Sequence, residues 1–245
     1  MLHGWFVLVA AGLFFAVGGL VFSCVSPVLY VLLPRRVGHR LGRWLIHWLF
    51  RLFLRFVWLL GGIEWELGEL EALNRCGPVV IAPNHISLLD AIFVIAKVPQ
   101  VVCIMKAKIW DNPVLGGGAR LAGYIRNDSP GSMVKQAEAQ LAAGRHLLVF
   151  PEGTRMERLP VNTLKGGFAL VAKRAEVPVQ TVFLEGSSEF LGKGWNWWRR
   201  PVFPLRYRMR LGGKFCCGAG EETKGFVKRI EEHFFEEFSG GVGGE

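Results

Sequence analysis

The chain has 245 residues, of which 51% are apolar and only 20% charged, with 31 glycines and a formal net charge of +9. At roughly 150 residues per domain that length holds one ordinary core plus an appendage. The composition excludes a disordered chain, and an apolar share above the usual ~45–50% calls for burial in lipid as well as in a core.

The charge is unevenly placed. Arg35, Arg36, Arg40, Arg43, Arg51 and Arg55 are the only formally charged side chains ahead of Glu64. A second acid-free stretch, 193–214, carries Lys193, Arg199, Arg200, Arg206, Arg208, Arg210 and Lys214. Two basic patches on a mildly acidic body imply a polyanionic partner: nucleic acid, an anionic lipid surface or a phosphorylated substrate. The five cysteines are odd in number and form no Cys-x-x-Cys pair, so neither a disulfide framework nor a zinc site is indicated and a reducing compartment fits.

In chain order, the run from Trp5 to Leu33 has no formal charge and exceeds the ~20 residues needed to cross a hydrocarbon core. No Lys or Arg precedes it, which argues against a secretory signal peptide. It either spans the membrane or, kinked at Gly18, Gly19 and Pro27, re-enters it. Arg36, Arg40, Arg43, His47, Arg51 and Arg55 then recur at spacings of three and four, within an arc of roughly 120° on a helix. A narrow basic stripe on a helix otherwise made of Trp, Leu, Phe, Ile and Val suits a membrane interface, with arginines at the phosphates and Trp44, Trp48 and Trp58 near the headgroup boundary. The alternative is a core helix with an exposed basic edge. The basic flank places the rest of the chain on the cytosolic face.

From Glu64 the pattern becomes that of an α/β domain. Strands are expected at 78–83, 101–105, 146–150, 177–184 and 205–211, and helices at 88–97, 113–122, 132–143, 163–175 and 221–238. Strands and helices alternating this way give a mostly parallel sheet flanked by helices. The strict alternation of Leu-Arg-Tyr-Arg-Met-Arg-Leu at 205–211 reads as a half-exposed edge strand.

Two strand ends carry chemistry. After Val79-Val80-Ile81-Ala82-Pro83 comes Asn84-His85, with Asp90 five residues beyond the histidine. If the turn folds back, Asp90 takes a hydrogen bond from one imidazole nitrogen and makes the other a general base. After Leu147-Leu148-Val149-Phe150 comes Pro151-Glu152-Gly153-Thr154-Arg155. There Gly153 permits a tight turn and Arg155 can clasp a phosphate, while Lys165, Gly166 and Gly167 open a helix where an anion could sit. Each element alone is equally well a structural turn.

Together, Asn-His-x-x-x-x-Asp and Phe-Pro-Glu-Gly-Thr-Arg about 60 residues later resemble the glycerolipid acyltransferase family, most closely its bacterial lysophosphatidate acyltransferases, over about residues 78–183. Lys106 matches the basic residue the family often has after its second strand. Gly123-Tyr124-Ile125-Arg126-Asn127-Asp128 matches its second motif and Val177-Pro178-Val179 its fourth. Ser129 departs from the family's arginine at that position, and Arg126 is a candidate substitute. The resemblance implies transfer of a fatty acyl group from acyl-CoA or acyl-ACP to the free hydroxyl of lysophosphatidate, with His85 oriented by Asp90 as base and no acyl-enzyme, no cofactor and no metal. Glu152, Gly153, Thr154, Arg155, Arg126, Lys106 and Lys165 would bind the acceptor, Glu152 by holding the loop or an acceptor hydroxyl. The same chemistry on another lyso-lipid or a glycolipid is the alternative, and a non-catalytic, membrane-attached basic binding protein a further one.

The organisation expected is therefore a membrane segment plus basic interfacial helix (1–62), an α/β acyltransferase domain (63–238) and a flexible tail (239–245). Trp-Asn-Trp-Trp-Arg-Arg at 195–200 could stack on single-stranded nucleic acid. On a chain with this N-terminus it reads as an interfacial anchor, so the expected partners are membrane lipids, the acceptor and the thioester donor, not nucleic acid.

Overall fold

The computed structural model describes residues 2–112, 116–157, 161–196 and 199–240. Helix α1 (Leu2–Leu32) runs through Gly18, Gly19 and Pro27 without interruption, and the chain reverses only at Leu33–Pro34. Helix α2 (Arg35–Leu59) returns alongside it, so that Val7 lies against Gly62 and Phe14 stacks on Phe56 with ring centroids 4.8 Å apart. By length and composition α1 could cross a membrane. It is nevertheless fastened along its length, to α2 at Phe14 and to α5 (Gly116–Ala122) at Ser26 and Phe22.

The basic stripe of α2 is a correction to the sequence reading. Arg43 and His47 do not face lipid: they are buried against the α/β body, where Arg43 Nη1 donates to the Ala122 carbonyl (2.9 Å) and His47 Nδ1 meets the Ile95 carbonyl (2.8 Å). Arg36, Arg40, Arg51 and Arg55 stay exposed at the ends of the stripe. Trp44, Trp48 and Trp58 are also exposed, and the Arg51 guanidinium lies over the Trp48 ring, 5.0 Å from its centroid. A buried guanidinium costs several kcal/mol unless its protons are satisfied, which Ala122 and Gln100 Oε1 (3.0 Å) provide.

Beyond the hairpin lie seven strands: β1 (Ile63–Glu66), β2 (Val80–Pro83), β3 (Val102–Lys106), β4 (Ile125–Asn127), β5 (Leu147–Leu148), β6 (Val179–Gly186) and β7 (Leu205–Phe215). They form one mixed sheet in the order β1-β7-β6-β2-β5-β3-β4, parallel except where β6 meets β7. All four residues of β2 are buried, as expected of a central strand covered on both faces. Helices α3 (Leu89–Lys97) and α5 pack with the hairpin, whereas α6 (Pro130–Ala142), α7 (Gly167–Ala175) and α8 (Thr223–Gly240) pack on one another. A 310 helix (Gly68–Arg75) and the short α4 (Ala107–Trp110) complete the fold.

The mostly parallel α/β sheet is as expected, but β7 is not an edge strand. Its alternation of buried and exposed residues is real, yet β1 pairs along it, Ile63 opposite Leu205 and Glu66 opposite Arg208, and takes the edge. Strands β1 and β4 are additional to those read from the sequence. The first residues of the helix expected at 113–122, Trp197 and Trp198 of the aromatic segment, and 241–245 of the tail lie outside the described residues.

Candidate active site

Strand β2 ends on Pro83, and the next residue fastens it sideways: Asn84 Nδ2 donates to the Leu184 carbonyl of β6 (3.0 Å) while its Oδ1 accepts from the Leu184 N–H (2.6 Å). This pair of bonds fixes where the following turn begins. His85 then projects into a cavity while the chain enters α3, and Asp90, in the first turn of α3, folds back to meet it. His85 Nδ1–H donates to Asp90 Oδ2 at 2.8 Å, and the Ser87 N–H donates to the same oxygen at 2.8 Å. Asp90 is fully buried, and burial pushes its carboxyl above the usual range against the pull of the His85 hydrogen bond. With Nδ1 engaged, Nε2 is the ring nitrogen left to the cavity.

The second motif closes on the first. Glu152 Oε1 accepts the His85 backbone N–H (2.8 Å) and Oε2 accepts the Asn162 N–H (2.9 Å), while the Met156 N–H donates to the His85 carbonyl (2.6 Å). Phe150 stacks on the imidazole, centroids 4.0 Å apart and planes at 26°. Glu152 is thus a buried brace between the two motifs, and burial raises its carboxyl above the usual range. Both oxygens are committed to backbone donors, so of its two expected roles the loop-holding one is the role its geometry performs. Gly153 takes φ +68°, a conformation only glycine adopts without strain, and the Lys165 ammonium lies directly over it.

Arg155 is only partly available for an anion. Its Nη1 donates to the carbonyls of Leu191 (2.6 Å) and Gly192 (2.7 Å), pinning that turn beside the site, and among the described residues Nε and Nη2 are left for a ligand. Leu191 itself has φ +58°, a strained conformation for a leucine, held by this clamp and by the Leu88 N–H on the same carbonyl.

These residues border a cavity of about 870 Å3. One part of its wall is apolar and comes from the hairpin and β3: Phe14, Phe15 and Phe22 of α1, Leu49 and Phe53 of α2, and Ile104. Another part is cationic or polar: Lys106, Arg155, Lys193, Thr154 and Asn127. His85 lines the same space. Partial burial, then the positive field of Lys165, Arg155, Lys193 and Lys108, holds the Lys106 ammonium below the usual lysine range. Such a cluster of like charges favours an anion among them. Cys103 also lines the cavity, but burial pushes its thiol up to about 12, which removes it as a thiolate nucleophile.

Of the residues expected to bind substrate, Lys106, Gly153, Thr154 and Arg155 line the cavity with His85, and Lys165 sits over the Gly153 turn. Arg126 is not brought there. Its Nη2 pairs with Asp111 (2.7 Å) and its Nη1 with Asp128, on the outer side of β4. The residue after it, Asn127, faces the cavity instead. Lys193 and Asn162 are contributors outside the motifs, and Asn84 and Asn127 stand inside motifs that gave them no role of their own. Their types carry no pattern, although Lys193 opens the second basic stretch. Among the described residues no group of three or more His, Cys, Asp or Glu side chains is placed to hold a metal ion.

A family model described as acyltransferase matches residues 65–185, which span both motifs and the strands that carry them. Over these residues the chain carries an acyltransferase-family domain. Similar proteins include a 1-acyl-sn-glycerol-3-phosphate acyltransferase of Helicobacter pylori, 33% identical over 145 residues, which cover 55% of this chain and 57% of that protein. A lyso-ornithine lipid O-acyltransferase of Pseudomonas aeruginosa is 36% identical over 109 residues, covering 43% and 42%. The chain spans less than three fifths of the length of these curated relatives. The crystal structure of the 1-acyl-sn-glycerophosphate acyltransferase of Thermotoga maritima shares the fold, with a TM-score of 0.72 over 100% of this chain and 98% of that one at 18% identity.

Proposed function

We propose that this chain moves a fatty acyl group from an acyl thioester, carried on coenzyme A or on acyl carrier protein, to the free hydroxyl of lysophosphatidate. The observation that carries the reading is the 2.8 Å His85–Asp90 pair in a single cavity that joins an apolar wall to a cationic one. His85 Nε2 takes the proton of the acceptor hydroxyl as its oxygen attacks the thioester carbonyl carbon. The carbon–sulfur bond then breaks, and the proton passes from the imidazole to the departing thiolate. Asp90 holds the tautomer and balances the imidazolium. The apolar wall accommodates acyl chain, and Lys106, Arg155, Lys165 and Lys193 attract the acceptor phosphate.

The relatives named for lysophosphatidate and for lyso-ornithine lipid frame the choice of acceptor. Lyso-ornithine lipid brings a carboxylate with its own ammonium, whereas lysophosphatidate brings a phosphomonoester of up to two negative charges. Four cations around one cavity end match the second better. Acyl transfer from a radiolabelled thioester in detergent, run on both acceptors, tests this. Faster transfer to lysophosphatidate is expected. Transfer only to lyso-ornithine lipid would reassign the acceptor, and transfer to no lyso-lipid would leave the chain a binding protein.

The same reading assigns the hairpin to the membrane. Because α1 is fastened to α2 and α5 along its length, its exposed face (Phe6, Leu13, Leu20, Val28) rests in one leaflet on the cytosolic side, and α1 does not cross.

Lys106→Gln should raise the acceptor KM roughly tenfold, the effect of one charge-assisted hydrogen bond. Arg126→Ala should leave it within about twofold, because Asp111 and Asp128 already occupy that guanidinium. Acceptor titrations at saturating donor read both. The opposite ranking would return the phosphate to Arg126.

A further inference from the structure

Behind the His85–Asp90 pair lies a second buried polar layer. Oδ2 of Asp90 receives His85 Nδ1–H and the Ser87 N–H, whereas Oδ1, equally buried, has no hydrogen bond. The Ile86 amide also faces the carboxylate but falls short of Oδ1 in hydrogen-bond geometry. Tyr207 occupies the adjoining space. It stands on β7 opposite Gly186 and packs its ring on Phe93, three residues beyond Asp90 on α3, with centroids 4.8 Å apart. A Cβ at Gly186 would come within 3.1 Å of both the Tyr207 ring and Ile86 Cδ1, so the glycine makes the room that brings Tyr207 up to the His85 turn.

The Tyr207 hydroxyl is itself buried and, among the described residues, makes no hydrogen bond of full geometry; it reaches toward the side chain of Ser87, the residue whose N–H serves Asp90. Ser87 Oγ donates its proton to the Phe190 carbonyl (2.9 Å) and accepts from the Leu89 N–H (3.2 Å), so it has no proton left to give Asp90 Oδ1. One side of this layer is a donor and the other an acceptor, and each is costly to leave unmet in the interior. An ordinary packing residue at position 207 would be served by a phenylalanine.

We propose that Tyr207 is a positioning residue of the catalytic dyad, its hydroxyl donating toward Asp90 Oδ1 directly or through one bridging water, so that His85, Asp90 and Tyr207 form a chain. The phenol then fixes the carboxylate plane and spreads its charge, which tunes how strongly Asp90 holds the imidazolium that forms during transfer. Burial pushes the phenol up to about 12, with Asp90 adding to the rise, so it stays a protonated donor throughout the working range. The other charged or titratable groups that face the dyad are Glu152 from the second motif and Lys106, Arg155 and Lys193 around the cavity, and none is altered by a change at position 207.

Tyr207→Phe removes only the hydroxyl. The phenol interacts better with the dyad when it carries a net negative charge than when a proton has neutralised it. Its loss therefore favours the protonated dyad, and the acid limb of the kcat/KM profile should move up by roughly half a pH unit. The acceptor KM should hold while kcat falls severalfold. A second readout is independent of turnover: the low-field proton resonance of His85 Nδ1–H, assigned by its absence in His85→Gln, should move further downfield as Asp90 becomes the stronger acceptor.

The kinetic arm rests on the acyl-transfer reading and the resonance does not. If wild-type protein transfers no acyl group yet the resonance moves, the function is wrong and the chain through Tyr207 stands. An acid limb and a resonance both unchanged, whatever the rate, would reduce Tyr207 to packing and overturn the proposal.

Discussion

His85→Ala is expected to lower kcat for acyl transfer by about 10^3-fold or more while leaving the acceptor KM nearly unchanged. A positioned general base contributes typically 10^2–10^4-fold, and here the same imidazole also returns the proton to the leaving thiolate, so both halves of the transfer lose it. The variant should fold, because what anchors position 85 is its backbone. The N–H is held by Glu152 and the carbonyl by Met156, and neither depends on the ring. The ring's place beside Phe150 becomes a slot of imidazole size, so added imidazole should restore part of the rate. The measurement is transfer of label from a thioester donor to lysophosphatidate in detergent, with initial rates across acceptor concentration. A kcat within tenfold of wild type would place the base elsewhere. A raised KM at constant kcat would make His85 a binding residue.

The dyad was legible in the sequence because its geometry is local: Asp90 stands five positions after His85, and one tight turn into a helix suffices to bring them together. Glu152 and Arg155 were legible as a loop, but their partners were not. Glu152 serves His85 67 positions earlier, and Arg155 clamps carbonyls 36 and 37 positions later. Arg126 shows the converse. As the arginine nearest the position taken by Ser129 it was a natural phosphate ligand, yet Asp111, 15 residues upstream, and Asp128 claim it.

Helical periodicity on α2 correctly gathered Arg43 and His47 on one face. It could not say what that face meets, because a basic stripe is equally served by lipid phosphates and by backbone carbonyls at the end of another helix. Strand β1 was hidden for a related reason. It is only Ile-Glu-Trp-Glu, it follows α2 after three residues, and its partner Arg206 lies 142 positions away from Glu64. Losing β1 turned β7 into an apparent edge.

Gly42→Val is the change expected to damage the protein most without touching the dyad. A Cβ at Gly42 would lie 2.6 Å from the Ala122 nitrogen and from the Leu121 carbonyl carbon and oxygen. Those are backbone atoms at the end of α5, so no side-chain rotation relieves the clash and α2 must lift. Lifting it breaks the bond from Arg43 to the Ala122 carbonyl, leaving a buried guanidinium short of a partner. Overpacking costs about 1–3 kcal/mol and an uncompensated buried charge about 3–5. At ~2–4 °C per kcal/mol for a chain of this size, Tm should fall by roughly 10 °C or more. Leu49 and Phe53 move with the helix, so the apolar wall opens and acyl transfer falls although His85 and Asp90 stay in place. Gly131→Ala and Gly225→Ala are the controls: nothing lies within 4 Å of a Cβ at either position, on α6 and α8, neither residue lines the cavity, and both should keep at least wild-type Tm and the wild-type rate. Thermal unfolding and transfer rates of the three variants decide it. A Gly42→Val protein as stable and active as wild type would mean that α2 does not depend on backbone contact with α5, and that the hairpin reaches the body by some other path.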